Sequence, residues 1–302
     1  MTRKAIISAA LCAAMTLGAA NAQTTAASDQ NAAFSVFAQH APDSKQAIDY
    51  DPIDELLGAF IEKQRGRNRI YFTNMAGSGV QLINAYIQGM SNVNVAALNR
   101  DEQLAYWLNL RNLLIIRAYA GQNPRSVSGD RGTVASPGPL WTKEQTTVAG
   151  QPVSLHDIEV NIIAANWSDK PDVIYGLYQG AIGGPSLPKE TFRGASVHTQ
   201  LSELGKDYVN ARRNVRIKSG ALEAPAIYEW YKPVFFDNND QSVIAHLAKH
   251  KKKAGAVSGA QSIAYKDFNY RSDAIEPRRQ QFNNPGAFSG GGGGGVGGGV
   301  GS

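Results

Sequence analysis

NRDEQLAYWLNLRNLLIIRAYAG, residues Asn99 to Gly121, reads as one helix with both of its ends marked. Asn99 with Glu102 three positions on has the form of a capping box, in which each side chain takes up a free backbone N–H of the first turn. Gly121 supplies a residue free to turn left-handed at the C-terminus, and Pro124 blocks resumption. Leu104, Trp107, Leu108, Leu114, Ile115 and Ala118 recur at three- and four-residue spacing, while Tyr106, Leu110, Leu113 and Ile116 make the other faces apolar. A helix apolar on all sides belongs in a protein interior. It is too short, and too polar at Asn109, Arg111 and Asn112, to read as a membrane span.

At 100° per residue Arg111 falls in the middle of the stripe made by Trp107, Leu108 and Ile115. An unpaired guanidinium there is strongly disfavoured, so an internal acidic partner is expected. Asn109 and Asn112 beside it can each donate and accept. Two readings stay open: a buried network that ties loops to the helix, or the floor of a binding cleft.

Composition bounds the rest. The 302 residues, 43% apolar and 9% aromatic, can bury a substantial core. Arg3 and Lys4, an apolar run from Ala5 to Ala20, and Ala20-Asn21-Ala22 before Gln23 have the form of a secretory signal cleaved after Ala22. The expected compartment is periplasmic or secreted, with no transmembrane span after cleavage. Cys12 is the only cysteine, so the processed chain has no disulfide, thiolate nucleophile or cysteine metal ligand. Without Arg3 and Lys4 the balance is 28 basic against 25 acidic residues, +3, too mild to argue for nucleic acid.

The expected organisation is a signal at 1–22, a flexible lead-in at 23–46, one globular domain at 47–275, and a disordered glycine-rich tail at 276–302. Helices are expected from Asp51-Pro52 (Ile53, Leu56, Leu57, Phe60 and Ile61 inward) and over Ser78 to Gln88 (Val80, Ile83, Tyr86 and Ile87 inward). Gln122 to Leu140 is a long proline- and glycine-rich loop. A strand near Thr146 to Val148 and a turn at Gly150 follow. Ser154 and Asp157 then form a second capping box ahead of Ile158, Ile162 and Ile163. Val173 to Tyr178 reads as a buried strand. Beyond it are helices over Val197 to Ala211, Pro225 to Tyr231 and Ser242 to Lys251, and strands at Val215 to Ile217 and Ile263 to Tyr265. The fold class is α+β: mostly helical, with a small sheet packed around the central buried helix.

Several of these segments, in order, resemble a bacterial and plant family called domain of unknown function 547. Tyr106 to Asn112 is similar to its aromatic-W-I-N-L-Y-N helix, and Gly150 with Ser154 to Glu159 to its G-x-x-L-S-L-D-D-I-E-H segment. Pro171 to Leu187 is similar to its D-P-R-hydrophobic-H-F-A-L-x-C-x-x-x-S-C-P-x-L segment. Ile227 to Tyr231 resembles I-F-x-W-Y, and Ile263 to Asn269 a closing Y-D-W strand. The resemblance spans roughly Ile48 to Tyr270. Gln179 and Gly184 stand where the family carries cysteines, and Ile174 and Val160 where it carries histidines. Asp172 replaces an arginine and Arg111 a tyrosine. Thiol chemistry needs a cysteine and a base, and neither remains at those positions. The resemblance also implies that the helices bearing Arg111 and Glu159 pack together, which makes Glu159 the expected partner.

No catalytic residue, metal or cofactor is expected. His246 and His250 have metal-ligand spacing on a helix, but Lys249 and Lys251 to Lys253 beside them favour a solvated basic helix end. His156 with Asp157 and Glu159 reads as a first-turn cap. Gly180, Gly183 and Gly184 lack both phosphate-loop patterns. Trp230 and Tyr231 can stack on a sugar ring or fill a core. Three functions remain in play. The first is a non-catalytic binder of a small molecule or envelope component, with a polar cleft near Asn109, Arg111, Asn112, Glu159 and Gln179, and Trp230 and Tyr231 as further binding residues. The second is an envelope-associated hydrolase using carboxylate and histidine chemistry, such as Glu159 with His156. The third is a structural envelope protein whose Lys249 to Lys253 run touches anionic polymers.

Overall fold

The computed structural model describes residues 33–75, 77–122, 132–218 and 221–275. The expected signal, Cys12, Pro124 and the glycine tail lie outside them. The fold is α+β, with three small sheets among the described residues rather than one. At its centre runs α3 (Arg100–Tyr119), following α1 (Asp51–Gly58) and α2 (Ser78–Ser91). Every residue of α3 from Glu102 to Ile116 is buried, as its all-round apolarity requires. Asn99 caps it by accepting from the Glu102 N–H at 3.0 Å. The reciprocal half of the box does not form. The Glu102 carboxylate accepts instead from the N–H groups of Ile48 at 2.9 Å and Gly194 at 3.0 Å, holding two distant loops against the helix start.

The α1 helix begins one residue before its proline, with Tyr50 rather than Asp51 at the cap, and stops at Gly58. Ile61, expected on its inner face, opens an antiparallel hairpin of β1 (Ile61–Gln64) and β2 (Arg67–Ile70). Arg65 and Gly66 at φ 52° and 80° form its two-residue turn, whose positive angles suit the twist of a hairpin. In α2, Ile83, Ile87 and Met90 are buried, whereas Val80 and Tyr86 are only partly so.

A second hairpin, β3 (Glu144–Val148) with β4 (Gln151–Ser154), turns at Ala149 and Gly150. It leads into Asp157–Ala164, a π-helical rather than α-helical segment. Its capping box is complete: the Ser154 N–H donates to Asp157 Oδ2 at 2.9 Å, and the Asp157 N–H to Ser154 Oγ at 3.1 Å.

Val173 to Tyr178 is not a strand. Pro171–Gly176 is a 3₁₀ helix. Proline preset its start, and a short continuous apolar run does not distinguish buried strand from buried helix. The backbone beyond it is satisfied by α3: Asn112 donates to the Gly176 carbonyl at 2.9 Å and accepts from the Tyr178 N–H at 3.2 Å.

Helices α4 (Val197–Asn210), α5 (Ala226–Phe235) and α6 (Asp240–His250) and the short α7 (Ala254–Ser258) follow. Strand β6 (Ala221–Pro225) lies between β5 (Arg216–Lys218), antiparallel, and β7 (Ile263–Lys266), parallel. The core is one contiguous cluster from Phe34 to Ala274. It includes part of the expected flexible lead-in: Phe37 packs edge-on against Trp107 with ring centroids 4.9 Å apart. Two phenylalanines are enough to dock an otherwise small and polar stretch.

Candidate functional site

Of the residues proposed for binding, Arg111, Asn112, Glu159, Gln179 and Tyr231 meet in a sealed network. Arg111 Nε donates to Glu159 Oε1 at 2.9 Å and Nη2 to the same oxygen at 2.5 Å, with both side chains at most 2% exposed. Its Nη1 donates to the Tyr178 carbonyl and to Asn112 Oδ1. Trp141 Nε1 adds a bond to Glu159 Oε1 at 3.1 Å, and the Tyr231 hydroxyl one to Oε2 at 3.0 Å. Gln179 Nε2 donates in turn to the Tyr231 oxygen at 3.3 Å. Burial and then the Glu159 carboxylate push the Tyr231 phenol well above its ordinary range, so it stays a donor. Asn109 holds both backbone groups of Phe192 at 2.8 Å.

The expected Arg111–Glu159 pair is therefore formed, and the network ties the backbone of Gly176 and Tyr178 to the central helix. Asn109, Arg111, Asn112, Glu159, Gln179 and Tyr231 are all buried, because their polar atoms are spent on one another and on backbone. Both Glu159 oxygens accept hydrogen bonds, Oε1 from Arg111 and Trp141 and Oε2 from Tyr231.

Trp230 sits apart from Tyr231. It packs on Phe268 with centroids 4.5 Å apart and, with Glu229, Tyr265 and Tyr270, lines a groove of about 340 Å³.

Gly180, Gly183 and Gly184 serve close packing. A Cβ on Gly180, which holds φ +61°, would lie 2.4 Å from the Tyr119 ring. A Cβ on Gly184 would lie 2.8 Å from that of Gln179, so these two positions face each other across the turn. Disulfides place their Cβ atoms about 3.5–4.5 Å apart, a separation reached here by a small backbone adjustment. The paired variant Gln179→Cys with Gly184→Cys is expected to lose both free thiols on mild oxidation, measured by thiol titration of the unfolded protein. Two thiols persisting would show that the turn does not yield.

Sequence reasoning missed a basic cleft of about 570 Å³. Lys63 and Arg65 reach it from the first hairpin, Lys206 from α4, Arg212 and Arg213 from the loop after it, and Lys252 from the end of α6; all six are exposed. Among the described residues, Asp207 is the single acid lining it. Buried Arg67 forms part of its floor, paired with Asp273 at 2.6 Å and donating to the carbonyls of Ala181, Ile182 and Gly184. The Arg65-Gly66-Arg67, Arg212-Arg213 and Lys251 to Lys253 runs were visible, but a whole-chain charge balance hides their convergence.

The helix end with His246 and His250 also differs from expectation. Both imidazoles are buried and turned inward, away from the lysines that follow. His250 Nε2 lies 2.7 Å from Asp172 Oδ1, and His246 Nε2 lies 2.8 Å from the Tyr175 hydroxyl. Burial pushes His246 down to about 3. Burial acts to raise Asp172, but His250, His246 and Lys249 outweigh it and hold the carboxyl at about 2.

This is a helical α+β scaffold with a sealed ionic centre and basic and aromatic hollows on its surface. Residues 95–209 match the family model described as "Protein of unknown function, DUF547". The resemblance is thus carried by the central helix, the capped π-helical segment and the Pro171 to Leu187 stretch. The expected elements at Ile227 to Tyr231 and Ile263 to Asn269 fall beyond the matched residues. No curated protein and no solved structure matches the chain.

Proposed function

We propose that this protein is a non-catalytic binder of a polyanionic ligand, held in the basic cleft. The observation that carries the reading is the convergence of six exposed cations from four chain segments on one cleft with a single acid. Like charges gathered around a concavity raise its potential and draw in anions. The sealed state of the Arg111–Glu159 network moves the binding surface away from the central helix and leaves that helix a structural role. In the exported compartment that the N-terminal signal would imply, the ligand is a phosphorylated or carboxylated envelope component.

The test uses a short inorganic polyphosphate chain as the probe and an uncharged glucan of similar length as the control. The wild type is expected to bind polyphosphate with an affinity that falls steeply with salt. The triple variant Lys206→Glu, Arg212→Glu, Lys252→Glu is expected to bind at least about 100-fold more weakly, given roughly 1 kcal/mol per cation near an anionic surface. Equal binding by the two proteins, or no wild-type binding at low salt, would sink the reading.

A further inference from the structure

We propose that Asp172, His246 and His250 form a binding site for a divalent transition-metal ion of the zinc class. The three residues come from two elements: Asp172 from the 3₁₀ helix, and the histidines from successive turns of α6, where i and i+4 share a face. Asp172 Oδ1 lies 2.7 Å from His250 Nε2 and 3.7 Å from His246 Nδ1, and one donor atom from each residue lies within 4.8 Å of the other two. The longer of those separations is no hydrogen bond. His246 Nδ1 therefore converges on the same oxygen as His250 without being satisfied by it. Around a tetrahedral ion with bonds near 2.0–2.1 Å, donor atoms stand roughly 3.3 Å apart. To meet that figure the Asp172–His250 separation opens by about 0.6 Å, the Asp172–His246 separation closes by less, and the two histidine nitrogens, within 4.8 Å of each other, close by up to about 1.5 Å.

The surroundings suit a metal centre. Tyr175 holds His246 Nε2 at 2.8 Å, which fixes the ring with Nδ1 toward the carboxylate, as outer partners of metal-bound histidines do. The Tyr175 ring stacks on His246 at 5.5 Å and meets His250 edge-on at 5.3 Å, and Phe236 lies edge-on to His246 at 5.1 Å. The histidine side chains are 4% and 1% exposed and that of Asp172 18%, so entry is past the carboxylate. Lys249 binds the other oxygen, Oδ2, at 3.1 Å, leaving Oδ1 on the inner side, and as an exposed chain it can swing into solvent. Two histidines and one carboxylate leave a fourth position open, which distinguishes the centre from a closed structural zinc site.

The test is metal binding by full-length protein free of any histidine tag and stripped with chelator. Titration with zinc is expected to give one equivalent with an apparent Kd at or below about 1 µM, and a raised melting temperature. Cobalt in its place is expected to give the visible absorption of a tetrahedral N/O site. Asp172→Asn, which keeps side-chain shape at the most exposed of the three positions, is expected to weaken zinc at least about 100-fold. His198→Gln, which removes an exposed histidine paired with Asp101, is expected to change nothing. Less than half an equivalent bound by wild type would overturn the assignment. So would unchanged affinity in Asp172→Asn, or a cobalt spectrum with only octahedral character.

Discussion

Glu159→Ala is expected to destabilise the protein by about 3–5 kcal/mol, the cost of breaking a buried ion pair from one side. Arg111, fully buried on α3, keeps its bonds to the Tyr178 carbonyl and Asn112, but neither carries a negative charge. Trp141 Nε1 and the Tyr231 hydroxyl lose the same acceptor, and Gln179 loses the order that its tyrosine partner provides. The variant joins a cavity, an unpaired charge and two orphaned donors at a single position. Urea unfolding against wild type measures it. Glu159→Gln retains shape and an acceptor and should fall between the two. A Glu159→Ala protein with the wild-type midpoint would remove Glu159 from its place in the centre.

Asp273→Ala is expected to cost a similar amount, toward the lower end of about 3–5 kcal/mol. Asp273 is fully buried, and burial raises its carboxyl above the ordinary range despite Arg67, Arg69 and Arg213 nearby. Without it Arg67 retains three backbone carbonyls and loses its counter-charge. Replacing both partners, as Arg67→Met with Asp273→Leu, should recover part of the loss, because an apolar pair leaves no stranded charge. If the double replacement is no more stable than Asp273→Ala, the ionic pair is not what holds this end of the chain.

The central helix was legible because every signal agreed. Asn99 and Gly121 marked its ends, apolar residues covered all faces, and Arg111 demanded an acid that Glu159 supplied. The Ser154–Asp157 box was legible for the same local reason, although nothing in it foretold a π-helical pitch. The first hairpin escaped because Ile61 to Ile70 is polar on both faces, with β1 largely exposed, so no apolar alternation betrayed it. The direction of His246 and His250 was misjudged from their sequence neighbours. Lys251 to Lys253 follow the end of α6, whereas the histidines face Tyr175 and Asp172, more than 70 positions away. Charge runs likewise say which residues are basic and not which of them share a hollow. That information belongs to the tertiary fold.

The Arg67–Asp273 pair and the parallel bridge from Ile70 to Ala274 join positions some 200 residues apart. Closing a loop of that length costs roughly 5 kcal/mol of chain entropy before the contact returns anything. On a growing polypeptide the hairpin can form as soon as it emerges, but Arg67 waits in water until almost all of the described chain has been made. Completion of this corner of the fold therefore waits for Asp273 and Ala274 to be made, long after the hairpin that they hold.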